Sequence, residues 1–265
     1  NESLKRVIAR LRSSTSAQVG PGDDAAVVTL SENRFVVTTD TMIEDHDFKL
    51  DWSTGFDLGF KAAATNLSDV AAMGAKPTAL VVALAVPPST SIDWLESFAD
   101  GLNAALEQLA PDASVVGGDL AAAEKVFISV TAHGDLEGRK PVLRSGAQVG
   151  DVLAVAGSLG KAAAGLDLLR VGGSARDAFD ELVEIQLRPI PPVDLGVVAA
   201  HAGANSMLDI SDSLVKDAAR ISKASKVSLN IEASMLLGYQ AILEQAAIRL
   251  DVDSLNWILF GGEDH

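Results

Sequence analysis

The chain has 265 residues, 48% of them hydrophobic, with a mean hydropathy of +0.24, which is enough apolar surface for one large domain or two of ordinary size. Its 36 acidic against 21 basic residues give a formal charge of −15, the opposite of the basic footprint that nucleic acid or an anionic membrane surface rewards. Without cysteine, with no signal-peptide profile in its first residues, and with a longest apolar stretch (residues 79–86) far short of the roughly 20 a membrane helix needs, it reads as a soluble cytoplasmic protein with neither nucleic-acid nor membrane partners.

Leu4, Val7, Ile8 and Leu11 follow helical spacing and lead into the polar run Ser13-Ser14-Thr15-Ser16, a loop. Residues 25–30 and 35–39 read as strands joined by the Ser31-Glu32-Asn33 turn, a hairpin. Over residues 53–74 an alanine-rich helix aligns Phe56, Phe60, Ala63, Leu67, Val70 and Ala71 on one face, and Gly74 with Pro77 ends it. A strand follows at 78–86. Ser91 then caps a helix to about residue 110, with Trp94, Leu95, Phe98, Leu102, Ala105, Leu106 and Leu109 as its apolar stripe. Strands at 113–116 and 126–133 complete the alternation. Turn formers and basic residues between 137 and 150 break the pattern, so the chain divides into residues 1–139 and 140–265. In the second part, strands are expected at 152–156 and 207–210, and helices at 161–170, 177–186, 193–202, 211–225 and 237–250. Pro189-Ile190-Pro191-Pro192 forms a rigid connection among them. Residues 255–260 lead into Gly261-Gly262-Glu263-Asp264-His265, so the chain stops at a motif rather than at a natural end.

Five aspartate motifs stand at expected element boundaries: Gly22-Asp23-Asp24, Thr38-Thr39-Asp40, Asn66-Leu67-Ser68-Asp69, Gly117-Gly118-Asp119 and Asp209-Ile210-Ser211-Asp212. Ordinary structural explanations exist: turn chemistry, a strand exit, a solvated helix position, or a helix cap at Ser211 with Asp212 in the first turn. The cap leaves Asp209 unexplained, however, and Leu58, Ala62 and Met73 beside Asp69 point to a covered position, where a carboxylate must be paired or metal-bound. Gathered together, such carboxylates repel by about 4 kcal/mol per pair near 4 Å at an effective dielectric of 20. They would then require cations. Hydroxyls and carbonyls beside them, with no cysteine and scarce histidine, suit Mg²⁺ better than Zn²⁺ and point to phosphate chemistry. Arg139 and Arg144 can grip phosphate or simply be solvated linker charge. Gly157-Ser158-Leu159-Gly160-Lys161 has the wrong spacing for a phosphate loop and reads as a strand-to-helix turn.

In this order, the motifs, with Lys61 to Pro77, Arg144-Ser145-Gly146-Ala147 and the final Gly-Gly-Glu-Asp, resemble the thiamine-monophosphate kinase family, whose superfamily includes aminoimidazole ribonucleotide synthetase and selenophosphate synthetase. The resemblance implies an α/β (α+β) protein of two domains, an N-terminal mixed sheet with helices that makes a homodimer and a C-terminal α/β domain over the nucleotide site. It implies Mg²⁺ ligation by Asp24, Thr38, Thr39, Asp40, Asp69, Asp119, Asp209 and Asp212. Asp40, Asp119 and Asp212 would be catalytic, ATP would meet Gly118, Asp119, Arg144 and Ser211, and thiamine monophosphate would meet Asp47 and Glu263. Asp47 stands where the family commonly has histidine, Leu120 where it has threonine and Ser213 where it has glycine, and the family supplies a thiamine-stacking aromatic beyond residue 265. The reaction implied is direct transfer of the ATP γ-phosphoryl group to thiamine monophosphate, giving thiamine diphosphate and ADP. The alternatives are another ATP-dependent synthetase of the superfamily or a non-catalytic nucleotide- or metal-binding module.

Overall fold

A computed structural model describes residues 6–11, 17–19, 27–28, 30–31 and 34–264. Two short strands, β1 (Ala17–Val19) and β2 (Val27–Val28), pair antiparallel with each other. Residues 25, 26, 29, 32 and 33 of the expected hairpin lie outside the described residues, and among the described ones the hairpin is not found: β2 does not pair with β3 (Phe35–Ile43), which belongs to a separate four-stranded sheet. That sheet is completed by β4 (Lys76–Val86), β5 (Ser114–Ala122) and β6 (Phe127–Asp135) in the order β3-β6-β4-β5. β6 runs antiparallel to both β3 and β4, while β4 and β5 are parallel, as a crossover through a helix requires.

Two helices cover one face of the sheet. α1 (Gly55–Ala72) starts with a reciprocal cap: the Thr54 hydroxyl accepts from the Asp57 N–H at 3.2 Å, and the Asp57 carboxylate accepts from the Thr54 N–H at 2.9 Å. α2 (Ile92–Leu109) starts at the expected Ser91 cap. The helices touch main chain to main chain, since a Cβ on Gly59 would lie 2.0 Å from the Phe98 carbonyl and one on Gly101 would lie 2.0 Å from the Phe56 carbonyl. Along β4, Leu80, Val82, Leu84 and Val86 enter the core beneath the helices, while Val81, Ala83 and Ala85 line the other face. That second face carries exposed Phe35, Val37, Ile43 and Phe127.

The second half holds α3 (Lys161–Val171), α4 (Gly173–Asp177), α5 (Asp180–Leu187), α6 (Val193–His201), α7 (Leu214–Ser225), a 3₁₀ turn (Ala233–Leu236), α8 (Leu237–Leu250) and α9 (Ser254–Phe260). The helix expected at 177–186 is α5, which begins three residues later, and the short α4 before it was not expected. Residues 152–156 and 207–210 are not strands; they lack a ladder partner among the described residues. Buried apolar side chains form two clusters. One lies between the sheet and α1–α2 and includes Val193 of α6; the other is built by α3, α5, α8 and α9 around Leu168, Leu243 and Ile258. α1 is the seam between them: Arg188 reaches Asp57 at 3.6 Å, and the Met73 carbonyl accepts from the Val142 N–H at 3.1 Å.

Candidate functional site

Alternation along β3 sends Thr38 and Asp40 toward α1 and Thr39 to the opposite face, and the triplet lies inside the strand rather than at its exit as expected. The Thr38 hydroxyl donates to Asp69 Oδ2 at 2.7 Å. One helical turn before Asp69, the buried Asn66 accepts from the Asp40 N–H at 3.1 Å through Oδ1 and donates to the Ala62 carbonyl at 2.9 Å through Nδ2. Strand and helix are thereby locked so that Thr38, Asp40 and half-buried Asp69 share one locality. Asp69 is a covered position of the helix, with its carboxylate hydrogen-bonded as burial demands. The Thr39 hydroxyl is used within the sheet, donating to the Val130 carbonyl at 2.9 Å and accepting from Thr131 at 3.2 Å.

Gly117-Gly118-Asp119 also lies inside a strand, because the β4–β5 ladder continues to Ala122. Asp119 is in register with Ala83 and alternates with Leu120, which packs on the helical core, so the Asp119 side chain leaves the face opposite α1 and is exposed. β3 and β5 are the two edges of the sheet, three strand spacings or about 14 Å apart. Asp40 and Asp119 therefore stand on opposite edges and opposite faces of one chain. Asp24 lies outside the described residues.

On the other side of α1, residues 209–213 form the loop before α7. The expected cap at Ser211 is corrected. Ser213 caps the helix, its hydroxyl accepting from the Lys216 N–H at 3.2 Å, and the helix begins three residues later than expected. The cause is Asp217, buried to 3% exposure, whose Oδ2 accepts from the Asp212 and Ser213 N–H groups at 2.9 and 3.0 Å and so holds the chain out of the helix. Ser213 itself is fully buried at φ +148°, a conformation that favours glycine. Arg220 bonds Asp217 through Nη1 and Asp212 Oδ2 through Nη2, and the Asp212 bond foremost raises its pKa further above the ordinary arginine value.

The terminal motif docks on this loop. The Glu263 N–H donates to the Ser211 carbonyl at 3.0 Å, and a Cβ on Gly262 would lie 2.4 Å from that same oxygen. Glu263 pairs at 2.7 Å with Lys61 of α1, whose side chain is only 8% exposed. Asp264 accepts from the Gly160 N–H at 2.6 Å and the Ala162 N–H at 3.3 Å, so the start of α3 is capped by a carboxylate, consistent with a turn and not a phosphate loop. Asp47 is engaged in its own turn, accepting from the Ile43 N–H at 2.8 Å and lying 2.7 Å from His46 Nδ1.

Arg144 is exposed, and its carbonyl is pinned by the hydroxyls of Ser225 at 2.7 Å and Ser206 at 3.1 Å. Beside it a cleft of about 580 Å³ is lined by Arg139, Lys140, Ser145, His201 and Asn205, among others. Arg139 is committed to Glu137 at 2.8 Å and to the Gly74 carbonyl at 3.3 Å rather than being a solvated linker charge.

The chain thus presents two oxygen-donor sets flanking α1, Thr38–Asp40–Asp69 and Asp209–Ser211–Asp212, with Asp119 apart from both. Among the described residues no three His, Asp or Glu side chains are grouped as a metal cage. The donor chemistry, carboxylate and hydroxyl oxygen throughout, suits Mg²⁺. Sequence reasoning assigned no role to Asn66, Lys61, Asp217, Arg220 or Asp264. The first two lie within the stretch from Lys61 to Pro77, but their partners are set only by the packing of α1.

Residues 22–136 match the family model for AIR synthase related protein, N-terminal domain. The chain is 43% identical over 262 residues to the thiamine-monophosphate kinase of Mycobacterium tuberculosis strain H37Rv, covering 99% of this chain and 77% of that protein. The crystal structure of thiamine-monophosphate kinase from Stenotrophomonas maltophilia K279a superposes with a TM-score of 0.79 at 34% identity, covering 98% of this chain and 82% of that one. AaThiL complexed with AMPPCP and TMP superposes with a TM-score of 0.74 at 29% identity, covering 96% and 75%.

Proposed function

The chain belongs to the thiamine-monophosphate kinase family, and on that premise we propose that it moves the γ-phosphoryl group of ATP in one in-line step onto the phosphate of thiamine monophosphate, releasing thiamine diphosphate and ADP. It is an enzyme, a kinase that uses ATP to phosphorylate thiamine monophosphate. The observation that carries this is the relative solved with AMPPCP and TMP together, whose fold extends over nearly the whole chain. We place it in the cytoplasm; among the described residues no helix is long and apolar enough to cross a membrane.

The acceptor oxygen is already anionic at neutral pH, so no side chain has to remove a proton, and catalysis reduces to positioning and charge neutralisation. Mg²⁺, when bound, would supply that neutralisation on the transferring phosphates. The ligands we assign to it are Asp24, Thr38, Thr39, Asp40, Asp69, Asp119, Asp209 and Asp212, with Asp40, Asp119 and Asp212 as the catalytic set. Gly118, Asp119, Arg144 and Ser211 are assigned to ATP, and Asp47 and Glu263 to thiamine monophosphate. Support comes from the junction along α1. Asn66 and Thr38 fix Asp40 and Asp69 on one side, and the Lys61–Glu263 pair draws the Ser211–Asp212 loop against the other. Residues 1–139 and 140–265 are taken as the two domains; the two apolar clusters support the division except where Val193 joins the first and Trp52 packs on the second.

We assign the open face of the sheet, with Phe35, Val37, Ile43 and Phe127, to a second copy in a homodimer. Asp119 projects from that face, so its place in the site depends on the second copy. The test is ADP release measured with and without thiamine monophosphate and with a chelator. Release that requires both the acceptor and free Mg²⁺ is expected, and release indifferent to the acceptor would refute the assignment.

A further inference from the structure

We propose that Arg220 is a resident counter-ion of Asp212 that makes the binding of a divalent cation there conditional on nucleotide. The inference rests on reading Asp212 as a magnesium ligand.

Arg220 is anchored at one end. Its Nη1 bonds Asp217, a buried carboxylate that also gathers the Asp212 and Ser213 N–H groups, so the guanidinium and the loop share one support. Its other prong, Nη2, falls on Asp212 Oδ2. Ser213, held at φ +148° and fully buried, fixes the loop between them. Asp212 is thereby presented to solvent with one oxygen taken by a guanidinium that it shares with Asp217 and that does not diffuse away. Bare Mg²⁺ approaching it must displace a charge-assisted hydrogen bond and is repelled by the guanidinium, which offsets part of the attraction of the two carboxylates. ATP changes that balance. Its phosphates bring both negative charge and acceptor oxygens, and the planar fork of arginine suits phosphate as well as carboxylate. As nucleotide and metal arrive together, Nη2 passes from Asp212 to a phosphate oxygen and the freed carboxylate oxygen passes to the metal, so no donor or acceptor is left unmatched. Without nucleotide the exchange has no second half.

The experiment is Mg²⁺ titration followed by calorimetry, without nucleotide and with AMPPCP, on the wild type and on Arg220→Met, Arg220→Gln, Asp212→Asn and the Arg220→Met/Asp212→Asn double variant. Arg220→Gln keeps a donor for Asp217 and serves if Arg220→Met does not fold, as judged by circular dichroism. Mg²⁺ alone is expected to bind the Arg220 variants at least tenfold more tightly than the wild type, with this gain lost when Asp212 is also changed. The wild type should show strong mutual enhancement between Mg²⁺ and AMPPCP, which the Arg220 variants lose. Unchanged or weaker Mg²⁺ binding in folded Arg220 variants, with Asp212→Asn still weakening the Mg²⁺–AMPPCP complex, would overturn the inference and leave Asp212 as a ligand. No effect of Asp212→Asn on any titration would overturn the ligand assignment itself, and the inference with it.

Discussion

Replacing Asp40 or Asp119 by Asn preserves side-chain shape and removes its charge. Each change is expected to lower turnover at saturating Mg²⁺ by two or more orders of magnitude, a barrier increase of about 3 kcal/mol or greater; near-normal turnover in both would remove them from the catalytic set. Asp264 is a different kind of residue, a cap for α3, and Asp264→Ala should cost about 1–2 kcal/mol in urea unfolding. Asp135 links stability to pH. Burial alone would push its carboxyl up, but the Glu137 N–H, the Ser31 hydroxyl and N–H, and the charge of Arg139 outweigh burial and hold it below the ordinary carboxylate value. A depressed folded value means the contribution is complete above the unfolded value of about 3.9 and is lost as pH falls through the folded one. Stability measured down an acid series should therefore fall less steeply below about pH 4 in Asp135→Asn than in the wild type.

Among the elements, α1 and α2 depend on main-chain contact. A methyl group at Gly59 or Gly101 would fall 2.0 Å from a carbonyl oxygen, so Gly59→Ala or Gly101→Ala must part the helices. A loss of about 2–3 kcal/mol is expected in chemical denaturation, and a loss below half of that would mean the helices adjust freely. Helices with a clean 3.6-residue stripe were readable from the sequence nearly to their ends: α1 and α2 lie within two residues of expectation, since their apolar spacing is a local property. Strand limits were not. Gly117-Gly118 looks like a strand exit, yet β5 continues because its partner β4 supplies a ladder that distant residues create. The start of α7 differs from expectation for a similar reason, since Asp217 accepts from the Asp212 and Ser213 N–H groups and fixes these residues outside the helix. In the site, the ordered aspartates were visible as motifs. Asn66, Lys61 and Arg220 were not assigned, because their roles come from partners that only packing along α1 and α7 brings near. That Asp40 and Asp119 fall on opposite edges was equally invisible, because strand order is a property of the whole sheet.

For the whole molecule, the sheet face carrying Val37 at 55% exposure is assigned to the second copy. Val37→Glu puts a charge on that face and should convert a dimer into a monomer in sedimentation velocity, with activity falling alongside; a wild type that sediments as a monomer at enzyme-assay concentrations would contradict the dimer. The formal charge of −15 means that anionic substrates must enter an acidic protein, which is a general physical reason to expect that cations accompany them. Direct phosphoryl transfer is what every assignment in the site serves. The most direct measurement is to incubate the full-length protein with γ-labelled ATP, Mg²⁺ and thiamine monophosphate and to separate the products. Label is expected in thiamine diphosphate in a one-to-one ratio with ADP, and label found only in inorganic phosphate, whether or not thiamine monophosphate is present, would contradict it.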